Sequence, residues 1–197
     1  MTYTLKRYQS YQDYLDNYPD GDGDYRLLST GEIIELPSED DDNLLWAFQL
    51  TLLIAGISGF EKRVRGNNIE LQVNPVGDRR VNRKPDVLVL HPEHRRLFKE
   101  NRCTAIKIGM PAPVFVAEMV SPGGPNSDNY KRDYLWKREQ YEWWGIPEYW
   151  IIDRHRDQVT VLVLEDENYK ETRYSADSTI KSATFPSLVV KPQDVFG

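Results

Sequence analysis

Two short segments of almost unbroken apolar character constrain the fold of this chain more than any other feature of its sequence. Residues 86–90 read DVLVL and residues 114–120 read VFVAEMV. Apolar runs of this length, without polar alternation, are typical of strands buried on both faces of a sheet. Each run nevertheless carries one carboxylate, Asp86 at its start or Glu118 inside it. Because an unpaired buried charge is costly, Glu118 is predicted to be paired or to bind a cation.

The surrounding pattern places these strands in one α/β domain. Ser38 and the acidic residues after it favour a helix leading to about Ala55, and Gly145 followed by Pro147 ends a second helix that begins near Asp128. Further strands are predicted at residues 25–28, 32–36, 69–73, 149–153, 158–165 and 169–174, with hairpins joining the first two and the last two. This order indicates a mixed β-sheet flanked by helices. No linker or repeat divides residues 1–197, so we predict one domain.

Composition excludes several classes of protein. With 40% hydrophobic and 28% charged residues, the chain is expected to be globular and soluble. It has no apolar run of about 18 residues, so no transmembrane helix is expected. The first twenty residues lack the apolar core of a signal peptide, and the single Cys103 cannot form an internal disulfide. We therefore expect a cytoplasmic protein. An unrelated serine or cysteine hydrolase is disfavoured because no Gly-x-Ser-x-Gly motif or Cys/His pairing is present.

Charge is unevenly distributed along the chain, whose net charge is −6. Residues 1–60 carry a net −8, residues 61–107 a net +6 and the remainder a net −4. The basic middle segment could attract a polyanion through Coulomb forces and counterion release, in which case DNA binding should weaken with salt. These charges could equally be solvated loop residues. The first interpretation predicts that replacing Arg79 and Arg80 with alanine lowers affinity for all sequences alike.

The two carboxylates and the helix that follows them suggest a metal-dependent site. Carboxylates on neighbouring strands are ligands that Mg²⁺ takes, leaving positions for water and substrate phosphate. Asp133, Lys137 and Tyr141 are spaced four residues apart and therefore share one face of the second helix. A lysine near such a site can stabilise charge on a transferred phosphate and orient the attacking water. Structural interpretations remain open for each residue: a strand-capping aspartate, an edge-strand glutamate and a surface helix pair.

Aromatic and histidine side chains offer weaker signals. Trp143, Trp144, Tyr149 and Trp150 could stack on the bases of single-stranded DNA, but their position at a helix end and a strand start favours core packing. Trp46 and Phe48, on the apolar first helix, are predicted to be core residues. His91 and His94 are three residues apart in what reads as a polar loop, and we do not predict a metal site there.

Several ordered motifs resemble the Uma2 family of restriction-endonuclease-like proteins. They are KPDVLVL, PVFVAEMVSPG and DYLWKREQYEWWGIPEYWIID, preceded by LLSTGEIIEL and followed by FPSLVVKPQDVF. The resemblance covers nearly the whole chain after residue 20, and the ordered set of motifs is specific. It implies the PD-(D/E)xK nuclease fold, a mixed central sheet flanked by helices, with an active site that binds Mg²⁺ or Mn²⁺.

The resemblance also implies roles for particular residues. Asp86 and Glu118 match the acidic metal ligands, while Glu32, or less favourably Glu35, matches an additional acid near the start of the fold. The superfamily usually places its lysine two residues beyond the second acid, where this chain has a valine. Members that resemble this chain supply the lysine from the following helix, which implies Lys137.

The displaced lysine makes one further prediction possible. Side chains alternate along a strand, so Val120 and Glu118 should face the same way. Lys137 should therefore reach the space above Val120 from the helix, and Tyr141 should support it. Taking Lys137 as an exposed helical residue, we expect Lys137→Ala to remove activity with little loss of stability.

The function implied is hydrolysis of phosphodiester bonds in nucleic acid by a Mg²⁺-dependent nuclease, with DNA as the expected polymer and no membrane partner. A homodimer is expected by analogy with nucleases that act on two strands. The alternative is a catalytically silent module on the same fold that binds nucleic acid or serves in assembly. Metal binding at the carboxylates distinguishes the nuclease from a silent module that binds nucleic acid. An assembly protein should bind neither metal nor nucleic acid.

Overall fold

The computed structural model describes residues 7–20 and 23–196. The predicted domain also includes residues 1–6, 21–22 and 197, which lie outside the described residues. The described strands are β1 (Asp24–Leu27), β2 (Ile33–Leu36), β3 (Val64–Arg65), β4 (Glu70–Gln72), β5 (Asn82–Arg83), β6 (Val87–Val89), β7 (Ala105–Ile106), β8 (Phe115–Met119), β9 (Glu148–Asp153), β10 (Gln158–Glu165) and β11 (Asn168–Ser175). The described helices are α1 (Tyr11–Asp16), α2 (Asp41–Ala55), α3 (His94–Asn101), α4 (Asp128–Lys131), α5 (Lys137–Trp144) and α6 (Pro192–Phe196).

A mixed sheet forms the centre of the fold, with strand order β11-β10-β9-β8-β6-β3. Strands β8 and β9 run parallel, and the other neighbours in this sheet are antiparallel. Smaller sheets of order β5-β4-β7 and β1-β2 accompany it. The predicted mixed α/β sheet flanked by helices is therefore confirmed, as are the hairpins β1-β2 and β10-β11.

Helices cover both faces of the central sheet, as the apolar runs predicted. On one face, Trp46, Leu50 and Ile54 of α2 pack with odd-numbered strand residues such as Val87 and Ala117. The other face buries the even-numbered residues Leu88, Val116 and Val120 together with Tyr141 of α5. Because side chains alternate along a strand, Asp86 and Glu118 share this second face with α5.

Helix α2 differs from its prediction in two ways. Its N-cap is Asp40, whose side chain accepts a hydrogen bond from the Asp42 N–H, and not Ser38. It also exposes apolar residues that the sequence places in the core. Trp46 is buried as predicted, but the prediction for Phe48 is wrong because its side chain is 58% exposed. The apolar character of α2 runs around the helix, and only one side of it meets the sheet.

The second predicted helix runs from α4 to α5 through a π-helical turn, Arg132–Trp136. The Lys137 N–H donates to the Arg132 carbonyl five residues earlier, which marks this turn as one residue wider than an α-helical turn. The helix ends at Gly145, whose φ of 72° is the left-handed conformation that glycine adopts at no steric cost. The predicted stop is therefore confirmed.

Three helices were missed by the sequence interpretation: α1, α3 and α6. His94 begins α3 and is fully buried, where its ring hydrogen-bonds to the Pro111 carbonyl. The supposed polar loop is thus a short helix held by a satisfied core histidine. Within the described residues, no helix is both long enough and apolar enough to cross a membrane.

Candidate active site

Asp86 lies immediately before β6 and faces Glu118 on β8. The register pairs Val87 with Ala117 in antiparallel strands. Asp86, one residue before Val87, therefore stands opposite Glu118, one residue after Ala117, on the face covered by α5. The Asp86 Oδ2 accepts a hydrogen bond of 2.7 Å from the Met119 N–H. Burial raises the pKa of Asp86 well above its usual range, and repulsion from Glu118 raises it further.

Asp86 makes no ion pair within 4.0 Å among the described residues, and its Oδ1 accepts no hydrogen bond from them. The side chain is nevertheless buried. A carboxylate in this position needs a cation or a proton, since an uncompensated buried charge is strongly unfavourable.

Glu118 is held from α5 by two donors. The Lys137 ammonium donates to Oε2 at 2.9 Å, and the Tyr141 hydroxyl donates to Oε1. Glu118 is 2% exposed, so its charge is compensated inside the protein and not by solvent. The predicted approach of Lys137 to Glu118 from the helix is therefore what the structure shows.

Lys137 is buried, which corrects the expectation of an exposed helical lysine. Its side chain is 11% exposed and its ammonium lies 2.8 Å from Asp133 Oδ1 as well as 2.9 Å from Glu118 Oε2. Burial acts to lower the pKa of Lys137, but the carboxylates of Asp133 and Glu118 outweigh it and hold the pKa above its usual value. The premise behind a mild effect of Lys137→Ala, an exposed lysine, is therefore wrong, and we now expect a loss of stability because truncation would leave two buried carboxylates short of a cation.

Asp133 anchors the lysine to the π-helical turn. Its Oδ2 accepts a hydrogen bond from the Ser121 N–H at 3.2 Å, and its Oδ1 is also 3.1 Å from the Arg132 guanidinium. Burial acts to raise the pKa of Asp133, but Lys137 and Arg132 outweigh burial and hold the pKa below its usual value. Asp133 therefore stays ionised and holds the ammonium in place.

Tyr141 was expected to support the lysine, and it does so through their common partner Glu118. We expect Tyr141→Phe to lower kcat/KM on a nucleic-acid substrate about 10- to 100-fold, because the second donor to a site carboxylate is lost. It should also cost about 1.5–3 kcal/mol of stability, the value of a hydrogen bond to a charged group. Thermal unfolding and initial rates measure the two effects.

Tyr169→Phe is the matched control for that variant. Tyr169 is also a buried tyrosine, but its hydroxyl donates to the Ile146 carbonyl and not to a site carboxylate. This control should lose stability and keep its activity. Equal activity losses in the two variants would show that Tyr141 matters only for packing.

An open cavity of about 930 Å³ gives solvent access to the site. Asp86, Glu118 and Lys137 all line it. The remaining wall is rich in charge, with Arg26, Arg80, Arg83, Lys84 and Arg132 among the lining residues. The three predicted residues are therefore gathered at one accessible place.

Glu32 is not brought to this cavity. Its carboxylate pairs with Arg7 at 2.8 Å and accepts a hydrogen bond from Thr30, and it is absent from the cavity wall. Glu35 does line the wall, as does Glu39, which sequence reasoning took only as part of a helix start. Glu39 adds to the electrostatic repulsion that raises the pKa of Asp86. The sequence signal for Glu39 was the acidic run that begins at this residue and leads into α2.

The donor set fits a hard divalent cation. Within residues 7–20 and 23–196, no three or more His, Cys, Asp or Glu side chains are grouped as a metal site. Mg²⁺, however, is usually bound by one or two carboxylates, with waters and substrate phosphates completing its shell. Asp86 and Glu118 supply that number, and the unpaired state of Asp86 suits a cation.

The aromatic side chains divide between core and surface. Tyr149 and Trp150 are fully buried, which confirms the packing interpretation, and Trp144 packs against the second core cluster. Trp143 is 52% exposed and differs from that expectation.

The mixed sheet with helices on both faces and the carboxylate pair at an open cavity agree with the restriction-endonuclease-like fold. The fold is similar to the 1.96 Å crystal structure of a protein from Anabaena variabilis ATCC 29413 described as a "putative nuclease belonging to DUF820", with a TM-score of 0.62 and 16% identity. That match covers 94% of this chain and 96% of the other. Residues 11–193 match the Uma2 family, described as "Putative restriction endonuclease", and the chain belongs to this family. No curated protein sequence matches it.

Proposed function

We propose that this protein is a metal-dependent nuclease that hydrolyses phosphodiester bonds in nucleic acid, with DNA as the polymer. One observation carries the proposal: Asp86 is a buried carboxylate that lacks a cationic partner among the described residues and stands opposite Glu118 at an open cavity. A protein bears the cost of such a group where a cation or a reaction uses it. Membership of the Uma2 family agrees with this activity.

Asp86 and Glu118 would hold Mg²⁺ or Mn²⁺. When bound, the ion would neutralise charge on the phosphate and help to activate water. Both Glu118 oxygens already accept one hydrogen bond each, and a carboxylate oxygen can accept two. Lys137 and Tyr141 would therefore orient Glu118 without blocking it.

Lys137 would act as a hydrogen-bond donor and a fixed positive charge. An ammonium group has three donors, and its contacts with Glu118 and Asp133 leave one for a phosphate oxygen or the attacking water. Its raised pKa keeps it protonated at neutral pH, which suits charge stabilisation and does not suit a general base.

Cleavage assays test the proposal. Single-stranded, double-stranded and branched DNA should be cut with Mg²⁺ or Mn²⁺, and EDTA should abolish cutting. An RNA substrate tests the choice of polymer. Absence of cleavage on every substrate would overturn the enzymatic proposal, and metal binding measured by calorimetry would then distinguish a silent binding module from an assembly protein.

DNA binding should weaken as salt rises. Six cationic side chains line the cavity together with six acidic ones, and phosphate contacts made by the cations should release counterions. We expect a loss of about tenfold or more between about 50 and 200 mM salt, measured by fluorescence anisotropy in EDTA. Affinity that does not change with salt would exclude this binding mode. The structure separates the two arginines of the original prediction, because Arg80 lines the cavity and Arg79 does not.

Dimerisation belongs to the same proposal. Two copies would be needed to cut both strands at one place, and helix α2 exposes Leu44, Leu45, Phe48 and Leu52. Light scattering with and without DNA measures the mass in solution, and a monomer in both conditions would contradict it.

A further inference from the structure

One part of the cavity wall gathers cationic side chains that the reaction at Asp86 and Glu118 does not use. Besides Lys137, five cationic side chains line the cavity. They come from separate elements: Arg26 from β1, Arg83 from β5, Arg132 from the π-helical turn, and Arg80 and Lys84 from the segments flanking β5. Their convergence on one wall is therefore a product of the tertiary fold.

Three aspartates pair with these five cations and with Lys137, and each aspartate serves two of the six. Asp24 lies 2.6 Å from Arg26 and 2.7 Å from Lys84. Asp78 and Asp133 are shared in the same way, by Arg80 with Arg83 and by Arg132 with Lys137.

A fourth acid adds little to this balance. Glu70 is 4.0 Å from Lys84, but its oxygens accept hydrogen bonds from Tyr11, Tyr14 and Asn82. Counting Glu118 at Lys137, the six cations share four carboxylates at short range. The wall also carries Glu35, Glu39, Asp40 and Asp86, which form no ion pair within the described residues, so the surplus is local to the cation cluster and is not a property of the whole wall.

Arg80 is the least satisfied of these cations. Asp78 binds Arg83 through both oxygens, each at 2.9 Å, so Arg80 shares a carboxylate that Arg83 already engages fully. The Arg80 Nε is 3.1 Å from Asp78 Oδ2, but this buried N–H has no hydrogen-bond partner among the described residues. Burial lowers the pKa of Arg80 to about 10, and repulsion from Arg83 and Arg132 contributes.

The loop that carries Arg80 is held against the helix that carries the active lysine. Gln140 of α5 donates to the Asn74 carbonyl at 2.9 Å and accepts from Arg83 Nε at 2.8 Å. Trp136 lies so close to Gly77 that a Cβ there would meet its indole ring at 2.0 Å. Arg80 is therefore placed before any ligand arrives, which reduces the ordering cost of binding.

We propose that Arg80 and Arg132 form a subsite for a second phosphate, next to the phosphodiester that is cut. This inference rests on the proposed function and specifies its substrate. The phosphodiester that is cut would be contacted by Lys137 and by the ion held at Asp86 and Glu118. Among the described residues Arg80 pairs with Asp78 and with neither of those carboxylates, so it suits a different phosphate, and the substrate is then a polynucleotide with a charged linkage beside the scissile bond.

The test compares two short fluorescein-labelled oligothymidylates of equal length. One has phosphodiester linkages throughout, and the other has a single phosphodiester flanked by neutral methylphosphonates. Binding is measured by anisotropy in EDTA, and cleavage of the same probes is measured with Mn²⁺. The wild type should bind the fully charged probe more tightly than the neutral-flanked probe by about tenfold or more, and Arg80→Gln should lose most of that preference.

Two further variants make the result specific. Arg80→Lys keeps the charge and should retain most of the preference, which guards against misfolding of Arg80→Gln. Arg95→Gln, at an exposed arginine on α3 that does not line the cavity, should behave as the wild type. Thermal unfolding of each variant checks that the fold is intact.

The outcomes separate this inference from the proposed function. Preference that depends on Arg80 in EDTA, without cleavage of any probe, would support the subsite and overturn the nuclease. Cleavage with an unchanged preference in Arg80→Gln would overturn the subsite alone. Equal loss of affinity for both probes would also overturn it, because Arg80 would then contact no flanking phosphate. Failure of the wild type to bind either probe would overturn both.

Discussion

Replacing Lys137 with glutamine is expected to lower kcat/KM for metal-dependent cleavage by about 10²–10³-fold, the usual effect of losing one donor to a transition-state oxyanion. Glutamine can still donate to Glu118, but it carries no charge. Because the charge shared by Glu118 and Asp133 is lost, a stability cost is also expected, and it should be smaller than that of Lys137→Ala because the hydrogen bond can remain. Single-turnover cleavage and thermal unfolding measure the two contributions.

Lys137→Ala should also remove activity, and in addition cost about 3 kcal/mol of stability. Its ammonium is shared by Glu118 and Asp133, which are 2% and 0% exposed. That loss corresponds to a fall in Tm of about 6–12 °C for a chain of this size. Lys131→Ala is the matched control, because Lys131 belongs to α4 and its side chain is 42% exposed. A Tm for Lys137→Ala equal to that of the control would contradict the buried ion pairs.

Adding Val120→Lys to Lys137→Ala tests the displaced position directly. Val120 lies on the same sheet face as Glu118 and is 3% exposed, so a lysine there would restore a charge from the strand. Partial recovery of cleavage is expected, with a packing cost that thermal unfolding reports. Full activity in Lys137→Ala alone would refute the role of this lysine.

Asp86→Asn should separate stability from activity in opposite directions. We expect cleavage to fall about a thousandfold or more, because several kcal/mol of charge stabilisation depend on the metal. In EDTA the variant should be more stable than the wild type by about 1 kcal/mol, or about 2–4 °C in Tm. Asparagine can still accept the Met119 N–H, and it removes a buried charge that Glu118 repels.

The pH dependence of the stability of the metal-free protein provides a second test of Asp86. Since the pKa of Asp86 is raised in the folded state, the folded protein binds more protons there than the unfolded chain does. Ionisation of Asp86 therefore lowers the stability of the folded protein as pH rises above the usual pKa range of aspartate. Asp86→Asn should lack that decline. Asp177→Asn, at a side chain that is 83% exposed, serves as the control. A lower Tm for Asp86→Asn at neutral pH would contradict the uncompensated charge.

The site residues that the sequence predicted best were the carboxylates that interrupt apolar strands. Asp86 and Glu118 were predictable because a carboxylate in an apolar strand is expensive, and strand alternation then put Val120 on the face of Glu118. The four-residue spacing of Lys137 and Tyr141 is also a local property, and it was enough to predict that both lie on one face of the helix. All of these inferences need only a few neighbouring residues.

Features that depend on distant contacts were not predictable. Burial of Lys137 requires β8 to lie beneath α5, and no local pattern distinguishes it from an exposed helical lysine. Arg80 and its shared Asp78 read as loop charges until the loop is packed against Gln140. Glu32 was assigned by resemblance, whereas its position in the hairpin directs it to Arg7.

The π-helical turn makes the site depend on the number of residues as well as on their identity. Removing one residue from Arg132–Trp136, such as the exposed Leu135, would let the helix return to α-helical phase. Asp133 and Lys137 would then be three residues apart instead of four, a spacing that still puts both on one face of the helix but at a different angle around its axis. The hydrogen bond from the Ser121 N–H to Asp133 is set by the present geometry, so we expect the deletion to weaken the anchoring of Lys137 although every active-site side chain is still encoded. Aligning relatives by their acidic and basic residues alone would therefore miss a change of spacing that alters the site.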